Sequence, residues 1–111
     1  MPLAAHRTSV DAPAALLWTL MEEKVTRPDK YVPGVTEVEI LQEFGGGDVE
    51  RLMYLGSGES RRAIREIIHV DERTRTTIFK LVGDPLYTGF VTNTVLDDDG
   101  HVQLDYTLHW T

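Results

Sequence analysis

Residues 91–110 read Val91-Thr92-Asn93-Thr94-Val95-Leu96-Asp97-Asp98-Asp99-Gly100-His101-Val102-Gln103-Leu104-Asp105-Tyr106-Thr107-Leu108-His109-Trp110. In the second half apolar and polar residues alternate. Val102, Leu104, Tyr106, Leu108 and Trp110 share one face, and His101, Gln103, Asp105, Thr107 and His109 share the other, which is the period of a strand with one dry side. The run Asp97 to Gly100 supplies turn chemistry, so a strand over Tyr87 to Leu96 folds back against His101 to Trp110. Counting from that turn sets Val95 opposite Val102, Asn93 opposite Leu104 and Val91 opposite Tyr106. A slip of one residue would put Thr92 and Thr94 in the place of Asn93, and both registers stay open at this level.

The same alternation extends backward as far as Val35. Strands are expected over Val35 to Phe44, Val49 to Gly56, Arg61 to Val70 and Arg75 to Val82, separated by Gly-, Asp- and Ser-rich loops at Gly45–Asp48, Gly56–Gly58, Asp71–Thr74 and Gly83–Pro85. Before Gly34 the periodicity is helical. Leu16, Leu17, Leu20 and Met21 recur at helix spacing, which predicts a helix over Ala12 to Lys24 capped by Asp11, with Leu16, Leu20 and Met21 against the sheet. Thr26-Arg27-Pro28 ends it, and Asp29 to Val32 forms a second short turn before Pro33-Gly34. A first strand over Leu3 to Val10 brings the total to seven. The fold class is therefore α+β, an antiparallel sheet with an N-terminal bent helix pair, formed as one domain over residues 1–111.

Length and composition agree. The chain has 111 residues, 41% hydrophobic and 26% charged, which suits a single folding unit and argues against disorder. Eleven basic against 18 acidic side chains give a formal charge of −7, so the sequence predicts no nucleic-acid partner. With no cysteine there is neither disulfide nor thiolate chemistry. The absence of a leader-like or membrane-spanning run makes a cytoplasmic location the expectation.

Most sequence signals for chemistry fail on inspection. The glycine loops lack the Gly-Lys-Ser/Thr of a phosphate loop and open no helix. Placing Gly100 at the sixth position of a calcium loop puts Val95 and Tyr106 where carboxylates belong. The four histidines show no ligand spacing, so no metal and no cofactor are expected. The cluster Arg61, Arg62 and Arg65 reads as a solvated sheet face. What remains is a set of polar or amphipathic residues that alternation places on or near the apolar side, namely Tyr54, Glu66, Asn93, Tyr106 and Trp110. A buried amide or carboxyl without a partner costs about 1–3 kcal/mol, so each must be bonded internally, to water or to a ligand. For Glu66 the internal partner is Lys80 or an arginine. One helix of about 20 Å cannot cover a sheet roughly 30 Å wide, which leaves a cavity, a ligand or another subunit to fill the difference.

The order strand, bent helix pair, six-strand meander resembles the helix-grip or START-like superfamily, also called SRPBCC, of pollen allergens, lipid-transfer domains and polyketide cyclases. Tyr31-Val32-Pro33-Gly34-Val35-Thr36, Ile64-Arg65-Glu66 and Val91-Thr92-Asn93-Thr94 followed by the acidic turn resemble its AtaL-like branch. The resemblance implies a small, largely hydrophobic ligand, polyketide- or lipid-like, held between sheet and helix. Tyr54, Glu66, Asn93, Tyr106 and Trp110 would contact it, and Glu66 would be the catalytic acid or base of any cyclisation or other proton transfer. Binding alone and binding with turnover both fit these residues. Members of the superfamily end in a long C-terminal helix, and since this sequence stops at Trp110-Thr111, the end of the last strand, the expectation is a domain without it. The expected consequence is an open apolar face carrying Val102, Leu104, Tyr106 and Trp110, and with it a homodimer. The rival reading is a non-catalytic interaction protein that uses this face to dimerise or to recruit a partner.

Overall fold

The computed structural model describes residues 4–84 and 88–110, without the side chain of Trp110. Seven strands form one antiparallel sheet: β1 (Ala4–Ser9), β2 (Val35–Gly45), β3 (Asp48–Leu55), β4 (Arg62–Asp71), β5 (Thr76–Leu81), β6 (Gly89–Asp98) and β7 (His101–Trp110). Their spatial order is β1-β7-β6-β5-β4-β3-β2, so the meander runs from β2 to β7 and β1 returns to pair with β7. Among the described residues one α-helix, α1 (Ala14–Thr26), crosses the inner face, and a 3-10 turn, Pro28–Lys30, follows it. No helix among the described residues is long and apolar enough to cross a membrane.

Both ends of α1 are set by proline. Asp11 was the expected cap, but the cap position is Pro13, which is extended at φ −60 and ψ 141 and makes no side-chain capping bond. The residue before a proline is pushed out of the α region, so Ala12 cannot be helical and the ladder begins with the Leu17 amide donating to the Pro13 carbonyl at 3.1 Å. The same rule ends the helix at Arg27, which precedes Pro28 and sits at φ −130. The helix therefore extends two residues beyond the expected Lys24.

The buried stripe of α1 also differs from expectation. Ala14, Leu17, Trp18, Met21 and Val25 face the sheet, whereas Leu16 is 51% exposed and Leu20 38% exposed on the outer side. The leucines straddle two faces, and burying Trp18 removes more apolar surface than burying either of them. The stripe packs in two groups. Toward the N-terminus Ala14, Leu17, Trp18 and Met21 meet Val95 and Val102, with Leu104 beside them, and toward the C-terminus Val25 meets Val49, Ile68 and Phe79. Val102 and Leu104, expected on an open face, thus lie under the helix.

The β6–β7 hairpin closes on two residues, Asp99 and Gly100, both left-handed at φ 51 and 85. Such a tight turn matches the twist of the strands, and the Gly100 amide donates to Asp97 Oδ1 at 3.0 Å. Strand pairing consequently continues to Asp98 opposite His101. It sets Val95 opposite Leu104, Asn93 opposite Tyr106 and Val91 opposite Leu108. This differs from the expected pairing by two residues, an even slip that keeps every side chain on its predicted face.

The outer face is polar and paired. Thr92 and Thr107 bond hydroxyl to hydroxyl, and Phe90 stacks on His109 with ring centres 4.5 Å apart. Arg61 pairs with Glu37 at 2.6 Å and Arg65 pairs with Glu50, so these two arginines belong to the solvated surface as expected.

Candidate functional site

The inner face carries four buried polar residues, Arg51 on β3, Glu66 on β4, Thr77 on β5 and Asn93 on β6. Alternation along β3 sends Val49, Arg51 and Met53 inward, and Arg51 lies directly opposite Glu66 of β4. Glu66 shares its face with Ile68, which is fully buried. Arg51 is 2% exposed and Glu66 7%. Arg51 Nη2 donates to Glu66 Oε1 at 3.0 Å and Arg51 Nε donates to the same oxygen at 3.3 Å. Among the described residues no hydrogen bond reaches Oε2. The alternative partner Lys80 is excluded by register, because it stands opposite Ile67 on the outer face.

Arg51 also holds the helix. Its Nη1 donates to the Lys24 carbonyl at 3.0 Å and to the Val25 carbonyl at 2.7 Å. The last carbonyls of a helix have no partner within it and carry partial negative charge, so a guanidinium there satisfies two acceptors at once. The Phe79 ring sits beneath this group, with Arg51 Cζ 5.3 Å and Lys24 Nζ 5.5 Å from its centre. Lys24 is half-buried on the last turn of α1. Burial pushes its ammonium below the ordinary lysine range, the like charge of Arg51 adds to that effect, and Glu66 opposes it. Among the described residues Lys24 Nζ has no hydrogen-bond or ion-pair partner.

Asn93, 3% exposed on β6, completes the set. Its neighbours across the ladders are Thr77 on β5 and Tyr106 on β7. Asn93 Nδ2 and Thr77 Oγ1 are both buried without a hydrogen-bond partner. Lys24, Arg51, Glu66, Phe79, Asn93 and Tyr106, with Val32, Met53 and Val91, line one cavity of about 150 Å³. A larger depression of about 440 Å³ lies between Val10–Ala14 and Asp97, Gly100 and Val102, but it has none of these buried polar groups.

Of the residues expected in the site, Glu66, Asn93 and Tyr106 come together in this cavity. Tyr54 does not. It alternates out of phase with Arg51 and Met53, and its ring lies under the Arg61 guanidinium, 4.2 Å away, on the outer face. The Trp110 side chain lies outside the described residues. Sequence reasoning missed Lys24, Arg51 and Phe79. The signal for Arg51 was available, since the alternation of Val49, Arg51 and Met53 puts the arginine inside. Lys24 follows Leu17 and Met21 at seven and three residues, on the buried face of the helix.

The fold has relatives of known structure. The Zhui aromatase/cyclase from Streptomyces sp. R1128 superposes with a TM-score of 0.77 at 18% identity, over 97% of this chain and 67% of that one. Ara h 8.0201 gives 0.69 at 16% identity, over 94% and 72%. TTHA0849 from Thermus thermophilus gives 0.73 at 14% identity, over 96% and 72%. These likenesses confirm the helix-grip architecture. In sequence the chain is 29% identical over 77 residues to the disease resistance response protein Pi176 of Pisum sativum, which covers 68% of this chain and about half, 48%, of that protein. Residues 8–111 match the family described as acetylaranotin biosynthesis cluster protein L, and the chain belongs to that family, AtaL.

Proposed function

We propose that this protein binds a small, largely apolar molecule in the cavity between the curved sheet and the last turns of α1. The observation that carries the reading is Asn93, a buried amide whose Nδ2 has no partner while its residue lines an otherwise largely apolar cavity. A fold keeps a buried polar group without an internal bond at a cost of about 1–3 kcal/mol, and ligand sites are where such a cost is useful. The size of the cavity supports a guest with one ring, since about 150 Å³ is enough to hold benzene in an engineered apolar cavity. Membership of a family named for a biosynthesis cluster, and a structural neighbour that is an aromatase/cyclase, point in the same direction, toward the chemistry of secondary metabolism.

Any turnover at this site is a proton transfer of the kind that drives cyclisation, with Glu66 Oε2 as the base and Lys24 Nζ beside the oxygen that gains charge. Arg51 holds the other carboxylate oxygen with two donors, an arrangement suited to positioning more than to proton uptake. Binding is therefore the primary role, and chemistry is confined to carbon acids already activated by adjacent carbonyls. Titration with 3-phenylpropan-1-ol, followed by backbone amide shifts, tests the reading. Shifts should concentrate at Met53, Phe79, Val91, Asn93 and Tyr106. Shifts confined to Val10–Ala14 and Gly100 would move the ligand site to the other depression.

A further inference from the structure

We infer that the ligand of this cavity is an apolar monoanion, such as an aryl-alkyl carboxylate or an acidic enol, whose charged oxygen is held by Lys24 Nζ and Asn93 Nδ2. The inference rests on the binding role proposed above and specifies the chemical class of the guest.

Charge balance is the first support. Lys24, Arg51 and Glu66 are the charged side chains lining the cavity, and the pairing of Arg51 with Glu66 leaves the lysine as its uncompensated charge. This positive centre lies in a chain whose formal charge is −7, so the acidic excess has been kept away from the cavity walls. The second support is the donor inventory. Lys24 Nζ and Asn93 Nδ2 offer hydrogens and accept none, and neither meets an acceptor among the described residues. Arg51, by contrast, has four of its five hydrogens engaged, two on Glu66 Oε1 and two on helix carbonyls. The free donors at Lys24 and Asn93 outweigh the one carboxylate oxygen left open, Glu66 Oε2, whose charge Arg51 already balances, so the site favours an acceptor, and a charged acceptor fits best because charge-assisted bonds are roughly twice as strong as neutral ones. The third support is the apolar part of the lining. Phe79, Val91, Met53 and Val32 give apolar contact and lower the local dielectric, which strengthens the attraction between an ammonium and an oxyanion.

Three probes of one shape decide the matter in the unaltered protein: 3-phenylpropanoate, 3-phenylpropan-1-ol and 3-phenylpropylammonium, each titrated against the backbone amides. The carboxylate should bind about tenfold more tightly than the alcohol, the worth of one charge-assisted bond, and the ammonium most weakly. Lys24→Met should bring the preference for carboxylate over alcohol to within about twofold, and Lys24→Arg should restore most of it. Equal binding of carboxylate and alcohol overturns the inference and leaves the cavity as a neutral site. A preference that persists unchanged in Lys24→Met overturns it equally. If none of the three probes moves the amides of Met53, Phe79 and Tyr106, the binding role itself fails and the inference falls with it.

Discussion

Arg51 and Glu66 stand opposite each other on β3 and β4, and the guanidinium that bonds the carboxylate at 3.0 Å also bonds the Val25 carbonyl of α1 at 2.7 Å. Removing the arginine alone leaves a buried carboxylate and two helix carbonyls without partners. Arg51→Met should therefore cost about 3–5 kcal/mol in urea unfolding. The double variant Arg51→Met/Glu66→Leu should recover part of that loss, because it also removes the stranded charge. A double variant less stable than Arg51→Met would show that Glu66 has a second stabilising partner.

The two sides of α1 should respond to truncation very differently. Trp18→Ala empties a site packed against Val95 and Val102 and should cost about 3–5 kcal/mol. Leu16→Ala acts on an exposed side chain and should stay within about 0.5 kcal/mol. Equilibrium unfolding in urea with matched slopes tests both, and a large loss at Leu16 would mean that the outer side of the helix is covered.

The lowered pKa of Lys24 has a definite sign in stability. Between the folded value and the ordinary 10.5 the unfolded chain holds more protons at this site than the folded one, so this group makes stability rise with pH across that interval. The cost of the buried ammonium is fully present below the folded pKa and is relieved as pH rises through it. Tyr31 acts oppositely and higher, because its raised pKa loses stability as pH climbs past 10. The difference in unfolding free energy between the protein and Lys24→Met, followed from pH 7 to 10.5, isolates the lysine. It should narrow as pH rises, and a constant difference would contradict the burial.

Asn93→Leu should stabilise the fold by about 1 kcal/mol, since it replaces a buried amide whose Nδ2 is unpartnered with an apolar group of similar size, while weakening the binding of an anionic guest and leaving the part of the preference that Lys24 carries. A melting temperature below that of the parent would show that the amide is satisfied in the free protein.

Strands and their facing were legible because alternation has a period of 2 and needs only the sequence. Glu66, Asn93 and Tyr106 were found on that basis. The helix was harder to read, because Leu16, Leu17, Leu20 and Met21 fit two overlapping stripes, and only packing of Trp18 and Val25 against the sheet selects one. Tyr54 was misplaced where the phase of β3 was not counted from Val49 through Arg51. The partnership of Arg51 with Glu66 and the carbonyls of α1 joins residues 24, 51 and 66, and no local pattern encodes it.

The even slip in the β6–β7 hairpin shows where alignment information resides. To the inner face, shifts by two residues are nearly interchangeable, since each brings apolar residues to apolar neighbours. The outer face is not indifferent. In the observed alignment Thr92 meets Thr107 and Phe90 meets His109, whereas a shift of two would offer Thr92 an aspartate, Asp105, and Phe90 a threonine, Thr107. The solvent side, together with the turn at Asp99 and Gly100, thus fixes which inner residues become neighbours, and with them the meeting of Asn93 and Tyr106. Residues that never touch the cavity set its dimensions from the opposite surface, so a change at Thr107 or His109 can alter ligand preference while leaving every cavity-lining residue unchanged.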